Sequence, residues 1–180
     1  RLGLREGDLA AILLRNDPVF ADIIHASRIG GTYYCPLNWH FTPSELDYIL
    51  RDSGARAVIG HGDLLRAAAS VLPPEMPVLA VGEEGPEGVM PYESWLAAQL
   101  PYDGPAVPPR AHMGYTSGTT GRPKGVRRFP VPPEEAAEKR AQMAEVLAAT
   151  FGIVPGCRAL VPAPLYHSAP TVFAQHALAV

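Results

Sequence analysis

Cysteine is nearly missing from this chain: 180 residues hold only Cys35 and Cys157. The two form no C-x-x-C pair and no zinc spacing, which excludes a disulfide scaffold and a thiolate metal site. Both thiols are expected to be reduced, and Cys35 sits in an apolar run that reads as core. An excess of positive charge is missing too. Fifteen Lys and Arg face eighteen Asp and Glu, a formal net charge of −3, which argues against a general nucleic-acid binder. The Arg127-Arg128 pair is too small to be a basic patch. No apolar run approaches the roughly 20 residues that cross a bilayer, and no signal peptide opens the chain, so a cytoplasmic protein without a transmembrane segment is expected. The six histidines show no ligand spacing with a carboxylate, so no metal site built from side chains is expected. Repeats and low-complexity tracts are absent. So is an initial Met: the chain opens at Arg1 and stops at Val180 inside an apolar segment, which reads as a piece of something longer.

What is present is compatible with one globular domain. Hydrophobic residues make up 47% and charged residues 18%, ordinary values for a chain long enough to bury a sizeable core. The most informative stretch is residues 115–126, Tyr-Thr-Ser-Gly-Thr-Thr-Gly-Arg-Pro-Lys-Gly-Val. Thr116, Ser117, Thr119 and Thr120 offer four hydroxyls. Gly118, Gly121 and Gly125 are read as positions where φ > 0 brings backbone N–H groups close to an anion. Lys124 adds a compact cation able to reach a terminal phosphate, and Pro123 stiffens its approach. Together these are the parts of a polyphosphate-binding loop. A solvated Ser/Thr/Gly turn is the bland alternative.

Three other glycine motifs are excluded. A Walker loop needs adjacent Gly-Lys followed by Ser or Thr, but Lys124 stands between Pro123 and Gly125. The 118–121–125 glycine spacing is not Gly-x-Gly-x-x-Gly. A nucleophile elbow needs glycines two residues either side of its serine, and Ser117 has Tyr115 and Thr119 there.

Along the chain, apolar runs alternate with helix-period segments. Strands are expected at 8–14, 32–37, 56–59, 77–81, 111–116 and 158–162. A first helix follows Asn16 or Asp17 as cap and Pro18, with Val19, Phe20, Ile23, Ile24 and Ile29 as its apolar stripe and Gly30-Gly31 as its stop. A second opens at Thr42, whose spacing to Glu45 is a capping box, and closes at Gly54. Further helices are expected at 63–72, 94–100, 133–151 and from 171. In the 133–151 helix, Met143, Val146, Leu147 and Thr150 line one face. Residues 83–91 read as a loop, and 101–109 as a proline-rich connector. The alternation predicts an α/β fold, a largely parallel sheet flanked by helices.

The loop resembles the phosphate-binding loop of the adenylate-forming (AMP-binding) enzymes, and the resemblance runs through essentially all 180 residues. Gly7-Asp8-Leu9-Ala10 with Asn16 and Pro18 is similar to the family's opening strand and helix. Pro36-Leu37-Asn38, Glu45-Leu46, Tyr48-Ile49-Leu50 and Asp52-Ser53-Gly54-Ala55 resemble its second helix and following strand. Pro164-Leu165-Tyr166-His167 resembles a downstream motif that helps build the acyl pocket, and the run through Ser168-Ala169-Pro170 is closest in kind to bacterial fatty-acid or bile-acid CoA ligases.

The resemblance implies a partial N-terminal AMP-binding domain over 1–180, with its phosphate loop at 115–126. It implies chemistry in which ATP activates a carboxylic acid as acyl-adenylate and coenzyme A takes the acyl group. Magnesium would bridge the phosphates. Lys124 would be the catalytic cation. Thr116, Ser117, Gly118, Thr119, Thr120, Gly121 and Lys124 would hold the nucleotide, and His167 would wall the acyl pocket. The family's Thr-Glu motif, ribose aspartate and C-terminal lysine domain have no counterpart in the sequence, so the chain alone is expected to be inactive. An amino-acid adenylation domain is the alternative within the family. Such domains usually place an aspartate in the downstream motif, and residues 164–170 have no acidic residue. A luciferase-like oxygenase stays open, as does a non-catalytic nucleotide-binding module.

Overall fold

A computed structural model describes residues 2–105, 107–116 and 122–180. At its centre is β1 (Leu9–Leu13), buried at every position. Its Leu9, Ala11 and Leu13 join one apolar cluster, while Ala10 and Ile12 join a second. A strand apolar on both faces needs cover on both, and that is why its sequence is a continuous apolar run. The sheet also contains β2 (Tyr33–Pro36), β3 (Ala55–His61), β4 (Val78–Val81) and β5 (Met90–Pro91). Their order is β2-β1-β3-β4-β5, and each neighbouring pair is parallel. Helices α1 (Val19–Gly30) and α4 (Tyr92–Ala97) cover one face. Helices α2 (Pro43–Ser53) and α3 (Gly62–Ala67) cover the other. The expected α/β architecture is present, as a three-layered parallel sheet.

The helix signals act where the sequence put them, with two changes. In α2 the Glu45 N–H donates to Thr42 Oγ1 (3.4 Å) and the Thr42 N–H donates to Glu45 Oε2 (2.8 Å), a complete capping box. Those backbone and side-chain bonds hold the Glu45 carboxyl below the usual carboxylate pKa, so it stays ionised to lower pH. Gly54 stops α2 at φ +66°. Gly31 stops α1 at φ +65°, where a Cβ would lie 2.8 Å from Val107 Cγ2. At the start of α1 the side-chain bond comes from Asp17, whose Oδ1 accepts from the Val19 N–H (2.9 Å), and not from Asn16. Ile29 is not on the apolar stripe but 52% exposed. The stripe runs through Phe20, Ile23, Ile24 and Ser27, and a residue two beyond Ser27 falls on the opposite side of the helix.

The helix expected at 63–72 divides into α3 and a 3₁₀ turn, Ala69–Val71. Leu72 precedes Pro73 and is extended, which ends the helical path. Within the expected loop 83–91, Met90 and Pro91 pair with β4. Residues 158–162 form no strand. Helix α5 (Pro133–Phe151) has the expected span, but of the four residues expected along one face only Leu147 is buried, with Val146 55% exposed. The last helix is α6 (Ser168–Leu178), whose Phe173 ring meets Phe151 edge-on with centroids 4.7 Å apart.

Candidate functional site

The ends of the expected phosphate loop are strands of one hairpin. β6 (Gly114–Thr116) pairs antiparallel with β7 (Lys124–Val126), and Thr116 stands directly opposite Lys124. Both are exposed. Lys124 makes no ion pair with any described residue. Ser117, Gly118, Thr119, Thr120 and Gly121, the rest of the expected nucleotide set, lie outside the described residues.

The hairpin is fastened to the sheet and to α2 by backbone and tyrosine contacts. The Met113 N–H donates to Tyr34 O (2.8 Å), so the approach to β6 pairs with the outer edge of β2. Tyr115 donates its hydroxyl to Asp52 Oδ2 (2.7 Å), and Tyr48 donates to Pro123 O (3.1 Å). The Arg122 guanidinium lies over the Tyr48 ring at 5.5 Å. Beyond β7, Tyr33 donates to Arg128 O (3.0 Å), while Arg127 and Arg110 both lie over its ring. Burial and the Asp52 carboxylate both push the Tyr115 phenol upward, so it stays a donor at any ordinary pH. Gly125 has a role other than the expected one. Its φ is not positive. It sits inside β7, where a Cβ would lie 2.2 Å from Met113 Cε and 2.9 Å from Tyr115 Cζ. Lack of a side chain there permits close packing beneath the hairpin.

His167 is exposed at the start of α6, with its ring 4.4 Å from that of Tyr166. Its carbonyl accepts from the Thr171 N–H (3.3 Å) and Oγ1 (3.0 Å), and Thr171 Oγ1 also bonds to Leu165 O. Thr171 is fully buried, so this bond set fixes the turn from 165 into the helix. Asn16 supplies a further set: its Nδ2 donates to Val161 O and Ala163 O (both 3.1 Å), and its Oδ1 accepts from the Leu165 N–H (2.8 Å). Next to His167, Ser168 Oγ lies 2.9 Å from His112 Nε2. A Cβ on Gly114 would be 3.4 Å from that same Oγ. The start of β6 and the start of α6 are therefore in contact, which brings the two expected site elements together.

The electrostatics are quiet. Burial first, and Arg128 second, hold the His112 imidazole below its usual basicity, so it is neutral at pH 7. Burial pushes the Cys35 thiol up to about 12, in keeping with a core thiol. The described residues contain no group of three His, Cys, Asp or Glu able to hold a metal ion. An open cleft of about 730 Å³ runs between α2 and Arg122-Pro123. Glu45, Asp47, Arg51 and Asp52 line it, which makes it a poor receptacle for an apolar acyl chain. Three residues that organise the site carried weak sequence signals. Asn16 looked like a helix cap, and His112 and Thr171 were single polar residues in apolar surroundings.

No helix among the described residues is long and apolar enough to cross a membrane. The family profile of the AMP-binding enzyme matches residues 1–179. The fatty acid–[acyl-carrier-protein] ligase ScoC of Streptomyces coeruleorubidus is 34% identical over 131 residues, which cover 69% of this chain and 24% of ScoC. The long-chain-fatty-acid–CoA ligase FadD13 of Mycobacterium tuberculosis is 30% identical over 181 residues, covering 93% of this chain and 32% of FadD13. Among solved structures, the anthranilate CoA ligase AuaEII with anthranoyl-AMP superposes with a TM-score of 0.67 at 25% identity, covering 92% of this chain and 32% of that one. The chain thus spans a third or less of the length of these relatives. With the match extending over nearly every residue, and with the expected parallel α/β sheet present, the chain belongs to the AMP-binding family of adenylate-forming enzymes.

Proposed function

We propose that this chain is the phosphate-gripping part, within an N-terminal AMP-binding domain over 1–180, of an AMP-forming acid–thiol ligase. In the first step a carboxylate oxygen attacks the α-phosphorus of ATP, and the bond to pyrophosphate breaks. In the second, the thiolate of coenzyme A attacks the acyl carbon and AMP leaves. The acid is an apolar one of the fatty-acid or bile-acid kind, and the site of action is the cytoplasm. One observation carries the reading: Thr116 and Lys124 face each other across a hairpin, and Lys124 is exposed without an acidic partner among the described residues.

Two anions meet in the first step, and charge builds on the departing pyrophosphate. An unneutralised lysine at the mouth of a hydroxyl- and glycine-rich loop suits that problem, since its charge acts on phosphate oxygens. Thr116, by its place opposite Lys124, and Ser117, Gly118, Thr119, Thr120 and Gly121, by their residue types, are assigned to hold the phosphates. Each bond to a charged phosphate contributes roughly 1.5–3 kcal/mol. Magnesium would enter with the phosphates of ATP, whose hard oxygens it prefers. It would supply neutralisation of the phosphate oxygens. His167, at the start of α6, forms part of the wall for the acid.

Lys124→Ala tests the reading in the intact enzyme. Acid-dependent exchange of pyrophosphate into ATP should slow by about 100-fold, as for loss of one positioned electrostatic group at a transition state. An unchanged exchange rate would remove Lys124 from the chemistry.

A further inference from the structure

Residues 161–165 are Val-Pro-Ala-Pro-Leu. Pro162 and Pro164 have no N–H, so this stretch cannot enter a sheet ladder as an ordinary strand. The structure satisfies its backbone in another way. Along an extended chain, residues two apart present their polar groups to the same side. Here Val161 O, Ala163 O and the Leu165 N–H all turn to one side chain, the amide of Asn16. That amide has two donors and an acceptor, and all are used. Asn16 is itself held firmly on both sides. The Arg15 N–H donates to His61 Nδ1 (3.1 Å), and His61 Nε2 faces Asp17 Oδ2 (3.3 Å). The Arg15 guanidinium donates two hydrogen bonds to the Asp63 carboxylate, at 3.0 and 2.6 Å. Leu165 packs into the apolar cluster under α1. Directly after it come Tyr166 and His167.

We infer that Asn16 is a positioning residue for the acid subsite: its amide stands in for a neighbouring strand, fixes 161–165 against the end of β1, and so sets where Tyr166 and His167 point. This rests on the assignment of His167 to the acid wall. Asp17, not Asn16, makes the side-chain bond at the start of α1, so Asn16 is released from the capping role its sequence position suggests.

Asn16→Asp is the decisive substitution. It keeps the shape and would serve a helix start at least as well. It cannot donate, and sets a carboxylate against two carbonyl oxygens. In the intact enzyme, the Leu165 amide should exchange with deuterium roughly tenfold faster in Asn16→Ala, the equivalent of one lost hydrogen bond, whereas Asn16→Asp keeps an acceptor for that N–H and its loss of the two donated bonds is read in the acid KM. The Leu13 amide, in the core of β1, serves as the internal control for folding. In the intact enzyme the KM for the acid should rise about tenfold, with the KM for ATP unchanged. Unchanged exchange at Leu165 in Asn16→Ala, or a normal acid KM in Asn16→Asp beside a raised one in Asn16→Ala, would overturn the inference. Faster exchange with an unchanged acid KM would also overturn it, leaving Asn16 as architecture alone. A wild-type enzyme that adenylates no acid would sink the proposed function and this role with it, while the exchange data would still report on the clamp.

Discussion

His112 couples the fold to pH, because burial holds its imidazole below the usual histidine value. Its imidazole is half-buried, close to Arg128 and within 2.9 Å of Ser168 Oγ. Folding lowers its proton affinity from an ordinary value of 6.5, so the unfolded chain takes up the proton first. Stability must then fall as pH drops from about 6.5 towards the lower value in the folded protein, and level off below it. Denaturant midpoints between pH 7.5 and 5 should show this slope, and His112→Asn should flatten it. A slope that survives the substitution would assign the effect to other groups. At this scale the sequence was readable where a residue acts through its neighbours in the chain. Thr42 and Glu45, Gly31 and Gly54 are such cases. It was unreadable where the partner is remote. Asn16 bonds residues 145 to 149 positions away, and no local pattern announces such a contact.

Among the elements, α2 has the most at stake, because one helix both covers the sheet and seats the hairpin. Leu46, Ile49 and Leu50 face the core, while Tyr48 and Asp52 reach Pro123 and Tyr115. Thr42→Ala removes the reciprocal cap at its start and should cost about 1 kcal/mol of stability. Urea unfolding will read that loss as a lower midpoint with an unchanged slope. A wild-type midpoint would show that Pro43 and Glu45 hold the helix start unaided. The strand expected at 158–162 failed for a reason that belongs to this scale as well. Apolar content signals burial, but a strand also needs an edge to pair with and N–H groups to offer. Leu160 is 89% exposed, and the two prolines that follow offer none. Conversely, α5 was legible in span from Pro133 to Gly152 but not in burial, since periodicity shows which face is apolar and says nothing of what covers it.

At the scale of the whole molecule, two regions differ in kind. Residues around the five-stranded sheet are packed on both faces. The later helices and the segment between them leave Phe151, Val146, Leu178 and Leu160 in the open. A surface of that character favours association, and it fits a chain that spans a third or less of its relatives' length. The 180-residue chain by itself should therefore make no acyl-CoA. Groups that act as a unit fail together when some are absent. Incubation with ATP, magnesium, coenzyme A and a panel of carboxylic acids, followed by mass detection of thioesters, is the check. Turnover above a heat-killed control would show that residues 1–180 suffice.

All five strands of the parallel sheet lie before Tyr92, and the hairpin opens only at Gly114. The side chains that hold the hairpin, Tyr33, Tyr48 and Asp52, belong to the earlier part. Dependence runs mainly one way: the five strands pair with one another before the hairpin exists, and the side chains that seat the hairpin all lie in that earlier part. During synthesis, at about 5–20 residues per second, that asymmetry becomes an order in time. Asp52 is made several seconds before Tyr115, so the hairpin should close onto a seat that is already there.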